Sequence, residues 1–418
     1  MKTHRTSRVT SRRVVTTLVT ALAGISLALP AAGAIDTATT PPHTEANGPG
    51  PGKGQGHGKG QGHGTRHDKA LQAHVDALLG TGTVGVVART TGPHGPRHAT
   101  AGVADQATGD PVRPGDSFRV ASTTKTFVST VVLQLVGEGR LSLDDTVEHW
   151  LPGVVSGNGN DGGGITVRQL LQHTSGLYDY TADLPVLTTR AGYLDGRRTT
   201  WSPEQLVAVA TKHAPNFEPG DEWSYSNTNY TLAGMIIEKI TGHSWQREVT
   251  ARVIRPLKLR DTVAPTTDPR LPGRHLRGYS AFGDDKAPID VTEINPSVAG
   301  AAGAMISTTA DLSRFYQALL GGRLLRPAEL AEMKATVRAP ELDPAWPGLR
   351  YGLGLMEVPL TCGGSYYSHG GDIAGYTTRN GVSEDGRRAV TVNATGDGSK
   401  GSATQEAANR LVDDALCG

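Results

Sequence analysis

Ser122-Thr123-Thr124-Lys125 places a hydroxyl and an amine three residues apart. A short strand-like run over 117–121 precedes the serine. A strongly apolar helical pattern follows it: Phe127, Val128, Val131, Val132, Leu133, Leu135 and Val136, stopped between Gly137 and Gly139. Residues three apart on a helix share a face. A lysine buried at a helix N-terminus loses hydration and meets the positive end of the dipole. Both effects favour the neutral amine, which can take a proton from a hydroxyl. The spacing therefore points to a serine nucleophile activated without a histidine. Ser-x-x-Lys also arises by chance in many helices, so companions are needed.

Two segments supply them. Tyr225-Ser226-Asn227 follows the turn signal Pro219-Gly220 and precedes a helical run over 232–240. A phenol there could reach the serine–lysine pair, and a neighbouring cation would make it a strong base. The same segment also fits a core tyrosine followed by a helix cap at Asn227 or Thr228. His369-Gly370-Gly371 follows the aromatic strand-like run 365–368. Bare glycines let another backbone lie close, and a histidine adds a donor or a partial positive charge. A hairpin turn with an exposed histidine would read the same way.

In this order and at these distances the three segments carry a resemblance. The chain resembles the penicillin-recognising serine hydrolases, the group of serine D-Ala-D-Ala carboxypeptidases and class C-type β-lactamases. The similarity runs from about His67 to the C-terminus. It is strongest at residues 118–127, at Leu170-Leu171-Gln172-His173-Thr174-Ser175-Gly176-Leu177, at Tyr225-Ser226-Asn227 and at His369-Gly370-Gly371. It implies that Ser122 is acylated, that Lys125 and Tyr225 move protons, that His369, Gly370, Gly371 and Asp372 line the substrate strand, and that Asn227 also binds substrate. It also implies an oxyanion hole from the Ser122 N–H and an amide near Asp372 or Ile373.

The pattern has two departures. The third motif of the family is usually Lys-Thr-Gly or His-Thr-Gly, and here Gly370 replaces the hydroxyl residue. The carboxypeptidases carry an arginine on the strand before that motif. The matching stretch, Gly352-Leu353-Gly354-Leu355-Met356-Glu357, holds Met356 in its place. Two groups that would bind a substrate carboxylate are absent, while the acylation residues are all present.

The elements around these motifs are mixed. A helix is expected over 70–79 and strands over 84–89 and 98–103. A loop-rich and helical stretch runs over 141–314. Strands return at 351–356, 365–368, 376–382 and 389–393, and a last amphipathic helix covers 403–416. With the resemblance, this implies an α/β (α+β) fold of the β-lactamase/transpeptidase-like kind: an antiparallel sheet flanked by helices, with an inserted helical region.

Residues 1–34 read as a signal peptide. Lys2, Arg5, Arg8, Arg12 and Arg13 form its basic part, 14–29 its apolar part, and Ala32-Gly33-Ala34 the cleavage site. Arg12-Arg13 leaves a general or a twin-arginine route open. Residues 35–66 repeat Gly-Lys-Gly-Gln-Gly-His and have little to bury, so a disordered linker is expected before a hydrolase domain over 67–418. His57, His63 and His67 read as part of a spacer rather than a metal site. No later segment is apolar enough to span a bilayer. The net charge of +1 gives no sign of nucleic-acid binding. Cys362 and Cys417, the two cysteines of a chain read as exported, are expected to form one disulfide. Asp144, Asp145 and Glu148 suit a helix start better than a metal site. His173 and Ser175 suit a structural turn, since no Gly-x-Ser-x-Gly elbow accompanies them. The expectation is thus a secreted, monomeric hydrolase without metal or cofactor. It would act as a D-alanyl-D-alanine carboxypeptidase on cell-wall peptides and be inhibited by β-lactams. An esterase, a D-amino-acid amidase or a β-lactamase on the same scaffold is the alternative. A non-catalytic penicillin-binding protein is a third, made improbable by the intact Ser122, Lys125 and Tyr225.

Overall fold

A computed structural model describes residues 66–283, 286–397 and 402–418. The expected signal peptide and most of the linker, with His57 and His63, lie outside the described residues. The sheet already begins at Arg66, in the two-residue strand Arg66–His67.

Among the described residues the main sheet has ten strands. Arg66–His67 forms one edge, parallel to Gly95–Gly102. The order continues through Gly85–Gly92, Ala389–Thr395, Tyr376–Ser383, Ser365–Ser368, Met356–Pro359, Arg350–Tyr351 and Val337–Arg338, every pair antiparallel. The short strand Gly371–Ile373 also pairs with Tyr376–Ser383. The central strand Ala389–Thr395 is buried along its whole length. It joins the first β-hairpin of the domain to the last, so the two ends of the domain close one sheet. Its side chains alternate between two cores. Val390, Val392 and Ala394 pack towards the first and last helices, Lys69–Leu79 and Ser402–Cys417. On the other face, Thr391 meets Ser313 of the helix Thr309–Leu320. This is the expected α+β architecture.

The helical region packs around Thr124–Gly137, the helix after Ser122. Its residues from Thr124 to Leu133 are all buried, as a helix enclosed on every side requires. Phe127 stacks on Phe315 with ring centroids 3.6 Å apart. Several polar residues of this helix bind neighbours that the apolar residues cannot specify. Thr126 Oγ1 donates to the Gly354 carbonyl at 2.8 Å, and Ser129 shares a hydrogen bond with Tyr230 at 3.0 Å.

One expected strand is broken. Residues 351–356 form a hairpin turn between Arg350–Tyr351 and Met356–Pro359, with Tyr351 opposite Met356. Gly354 has φ +74°. A Cβ there would lie 2.2 Å from Ser129 Oγ, so the turn needs glycine both for its dihedral and for its approach to the helix. The apolar alternation of the segment hid this.

Cys362 and Cys417 are joined, with a Cα–Cα distance of 5.8 Å. The bond ties the loop after Met356–Pro359 to the end of the terminal helix. On the chain-entropy account it stabilises the fold by roughly 4 kcal/mol. Cys417→Ser is therefore expected to lower the urea midpoint clearly and to steepen the unfolding slope, because the unlinked chain exposes more surface when it unfolds. Equal midpoints for wild type and variant would show that this closure adds nothing.

Candidate active site

Three elements bring the predicted residues to one place. Ser122 sits in a 3-10 turn, Ala121–Thr123, that runs into the helix carrying Lys125. It is therefore just ahead of the α-helix and not on it. Ala121 has φ +46°, an unfavourable region for a residue with a Cβ. The strand Phe118–Arg119 leads into the turn and is fixed by its buried arginine. That guanidinium donates to the carbonyls of Pro269, Thr292 and Ile294. Thr123 Oγ1 then donates to the His369 carbonyl at 2.9 Å, which fastens the serine turn to the third motif. Thr124 Oγ1 accepts from Met305 N–H at 3.1 Å.

Lys125 is fully buried, and its amine has three polar neighbours. Nζ lies 3.0 Å from Ser122 Oγ, 2.7 Å from Asn227 Oδ1 and 2.8 Å from the Ala302 carbonyl. Burial pushes its pKa down to about 7, while Asp179 opposes the shift. A neutral amine has two N–H bonds and one lone pair. The two oxygens that can only accept, on Asn227 and Ala302, take the two hydrogens. The lone pair is left for the hydroxyl hydrogen of Ser122.

Tyr225 lines the same cleft as Ser122, and burial raises its pKa well above the usual phenol value, an effect that its proximity to the Ser122 hydroxyl only partly offsets. The nearby Lys125 amine, 4.9 Å from the ring centroid, does not reverse this. The phenolate expected from a cation beside Tyr225 is thus corrected: the resting group is a phenol. Ser226, rather than Asn227 or Thr228, is the N-cap of the following helix Asn227–Thr241. Asn227 uses its amide instead, with Nδ2 donating to Asp179 Oδ2 at 2.9 Å.

His369 also departs from expectation. Its ring is wholly buried, and desolvation holds its pKa near 3. Nδ1 donates to the Gly370 carbonyl, and Nε2 accepts from Tyr351 Oη, both at 2.7 Å. It supplies no positive charge to a substrate. The two glycines differ. A Cβ on Gly371 would lie 2.1 Å from the Val120 carbonyl and 2.9 Å from the Ser122 nitrogen. The glycine is required by the protein's own nucleophile turn, not by a substrate backbone. A Cβ on Gly370 would meet nothing closer than Arg379 Nη1 at 3.4 Å.

These residues surround a cleft of about 220 Å³ lined by Ser122, Tyr225, Asn227, His369, Gly370, Gly371 and Asp372. Leu342, Trp346 and Met356 complete its outer, apolar wall. Among the described residues the lining contains no lysine or arginine. Asp372 is half-exposed, and its Oδ1 accepts from Arg379 Nη1 at 3.0 Å. Arg379 lies beneath Gly370 and under Trp346, whose ring centroid is 5.0 Å from the guanidinium carbon.

Some contributors carried no sequence signal. Ala302 acts through its carbonyl alone. Asp179 lies in a loop where an acidic residue passes as solvated surface. His173 was expected only to shape a turn, and it does end the helix Val167–Gln172 with φ +62°. It also stacks on Tyr225, with centroids 4.3 Å apart, and its Nδ1 accepts the Ser226 N–H at 3.2 Å. Ser175 is buried and donates to Asn229 Oδ1, away from the cleft. Glu148 lies in the first turn of the short helix Val147–Trp150, which Thr146 caps, while Asp145 and Glu148 accept from the Ser142 and Gly153 N–H groups of the loops on either side.

Residues 71–414 match the family described as Beta-lactamase. The chain belongs to this family. A solved relative, a D-stereospecific amidohydrolase from Streptomyces sp., is 44% identical with a TM-score of 0.77, over 83% of this chain and 98% of that one. Esterase EstB of Burkholderia gladioli is 31% identical over 70% of this chain and 82% of its own length. Penicillin-binding protein 4 of Amycolatopsis lactamdurans is 30% identical over 56% of this chain, and the match spans only 61% of that protein. Beta-lactamase-family relatives of this chain thus carry amidohydrolase, esterase and penicillin-binding names on one serine-hydrolase scaffold.

The contrast between the two glycines is testable. Gly371→Ala is expected to cost about 2 kcal/mol or more through overpacking against the nucleophile turn. Gly370→Ala should stay within about 0.5 kcal/mol of wild type. Thermal melts of both variants decide it, and equal midpoints would contradict the packing argument.

Proposed function

We propose that this beta-lactamase-family protein is an exported acyl-serine hydrolase of amides and esters whose acyl part is a D-amino acid. The observation that carries the chemical part is the Lys125 amine 3.0 Å from Ser122 Oγ with two pure acceptors, Asn227 Oδ1 and the Ala302 carbonyl, at 2.7 and 2.8 Å, an arrangement that leaves the lone pair of the neutral amine for Ser122. In acylation Ser122 Oγ attacks the carbonyl carbon and its proton passes to Lys125 Nζ. The oxyanion is held by the Ser122 N–H and an amide of Gly371–Ile373. The C–N or C–O bond then breaks as the Tyr225 phenol protonates the leaving atom. Tyr225 regains a proton from the Lys125 ammonium. Water attacks the acyl-serine, gives its proton to the same pair, and Ser122 Oγ leaves protonated. His369 and His173 hold the strand and the tyrosine in place and stay neutral.

The charge of the cleft supports the substrate class. A peptide ending in a free carboxylate needs a cation or several strong donors once it leaves water. Met356 and Gly370 supply none, His369 is neutral, and Arg379 is buried beneath Gly370, with Nη1 on Asp372 and the unpartnered Nη2 closed off from the cleft surface. The second oxygen of the half-exposed Asp372, beyond the one paired with Arg379, and the apolar wall of Leu342 and Trp346 instead suit an ammonium group beside an apolar side chain. The likeness to a D-stereospecific amidohydrolase supports the D-configuration. The D-Ala-D-Ala carboxypeptidase reading would require the buried Arg379 guanidinium to move out into the cleft. The disulfide supports export, since such bonds persist in oxidising compartments.

Ser122→Ala is expected to abolish turnover and covalent labelling by penicillin while leaving the fold intact. A penicilloyl adduct on that variant, seen by intact mass, would refute the nucleophile assignment. On substrates, wild type should hydrolyse a D-phenylalanine amide or ester faster than a D-Ala-D-Ala peptide. Asp372→Asn should narrow that gap, because it weakens the ammonium site and loosens Arg379. A wild-type preference for the carboxylate peptide would overturn the substrate reading.

The pH dependence has a definite sign. Lys125 acts as base only when neutral. As the pH falls through about 7 it gains a proton, and kcat/KM should drop about tenfold per unit below that point. A rate that rises on acidification would exclude Lys125 as the base.

A further inference from the structure

We infer that Asp179 is a positioning residue for acylation: by fixing the Asn227 amide and facing the Lys125 amine, it sets the orientation and the protonation range of the base. This rests on the proposed role of Lys125.

The geometry is specific. Asn227 lies between Lys125 and Asp179. Its Oδ1 takes a hydrogen from Lys125 Nζ at 2.7 Å, and its Nδ2 gives one to Asp179 Oδ2 at 2.9 Å. Asp179 Oδ1 accepts the Asn227 backbone N–H at 3.3 Å and the Thr181 N–H at 3.1 Å. A carboxylate only accepts, whereas an amide presents a donor at one end and an acceptor at the other. If the amide turned over, its NH₂ would face the Lys125 donors and its oxygen would face the carboxylate. Asp179 therefore holds one end of Asn227 so that the other end takes a hydrogen from Lys125. Without that acceptor the amine would have a hydrogen to give to Ser122, and its lone pair would no longer be directed there.

The charge of Asp179 acts as well. Around Lys125 the facing groups are Asp179, the Tyr225 and Tyr230 rings, the neutral imidazoles of His173 and His369, and the Ala302 carbonyl. Asp179 is the group in this set that can carry a negative charge; burial raises its own pKa, and its hydrogen bonds from Thr181 and Asn227, together with the Lys125 charge, oppose that rise. Its negative charge stops burial from lowering the lysine pKa further, which keeps enough proton affinity for the amine to accept from Ser122.

Asp179 also starts the short 3-10 turn Tyr180–Asp183, so loss of activity alone would not separate positioning from folding. The pH profile does. Asp179→Asn removes the charge while keeping an oxygen that can accept from Asn227. It is expected to move the acidic limb of kcat/KM to lower pH by about half a unit or more. Asp179→Ala also removes the acceptor, and its plateau kcat should fall about tenfold or more below that of Asp179→Asn, with KM changed far less. Thermal melts establish that both variants are folded, and Asp179→Asn alone suffices if the alanine variant is not. A wild-type limb that stays in place in Asp179→Asn would overturn the Asp179 role and leave Lys125 as base. A wild-type profile that is flat over roughly pH 5 to 9 would defeat the Lys125 reading and this inference with it.

Discussion

A buried amine with one free lone pair is the constraint on which the rest of the site depends. An ammonium inside the protein would be expensive to desolvate, and an unpaired amine would leave its hydrogens without acceptors. The fold answers both demands with oxygens from two elements outside the nucleophile helix. Asn227 begins one helix, and Ala302 belongs to the short helix Gly300–Gly303. Lys125 can point at Ser122 only if these elements meet behind it. The enclosure of the helix Thr124–Gly137 is therefore both a packing result and a condition for the chemistry.

The sheet imposes a second constraint from the opposite side. Gly371 brings a strand within contact of the Ser122 nitrogen, and Thr123 binds the carbonyl of His369. The serine turn is thus held between a helix that supplies the base and a strand that supplies backbone amides. The positive φ of Ala121 is maintained by attachments on both sides. Strain of this kind persists where the surroundings over-determine the backbone.

The sequence made the outline legible. The central strand and the terminal helices follow from alternation and amphipathicity, and the cysteine pairing from there being two cysteines in a chain read as exported. Ser122, Lys125, Tyr225 and Asn227 stand in short motifs whose order is informative. Other features were not legible, for identifiable reasons. The 351–356 segment alternates like a strand, yet Gly354 folds it into a turn because a helix lies against it. The charge of His369 depends on burial, and the state of Tyr225 depends on how far desolvation outweighs a nearby amine. Asp179 and Arg379 matter through partners distant in the chain, and Ala302 matters through an atom every residue possesses.

The outer wall of the cleft is attached to the end of the chain. Asn409, on the terminal helix, donates to the Ala345 carbonyl and accepts from Arg379, while Trp346 covers that same arginine. Glu341, from the same loop, accepts the Tyr225 N–H on the other side of the opening. The loop thus behaves as a bracket, with one foot on the last helix and one beside the reacting tyrosine. Among the described residues Lys125 and Ser122 make no hydrogen bond to the terminal helix. Sequence drift along that helix could therefore retune which acyl groups enter while leaving the reacting atoms where they are, so selectivity and reactivity can evolve on separate parts of the molecule.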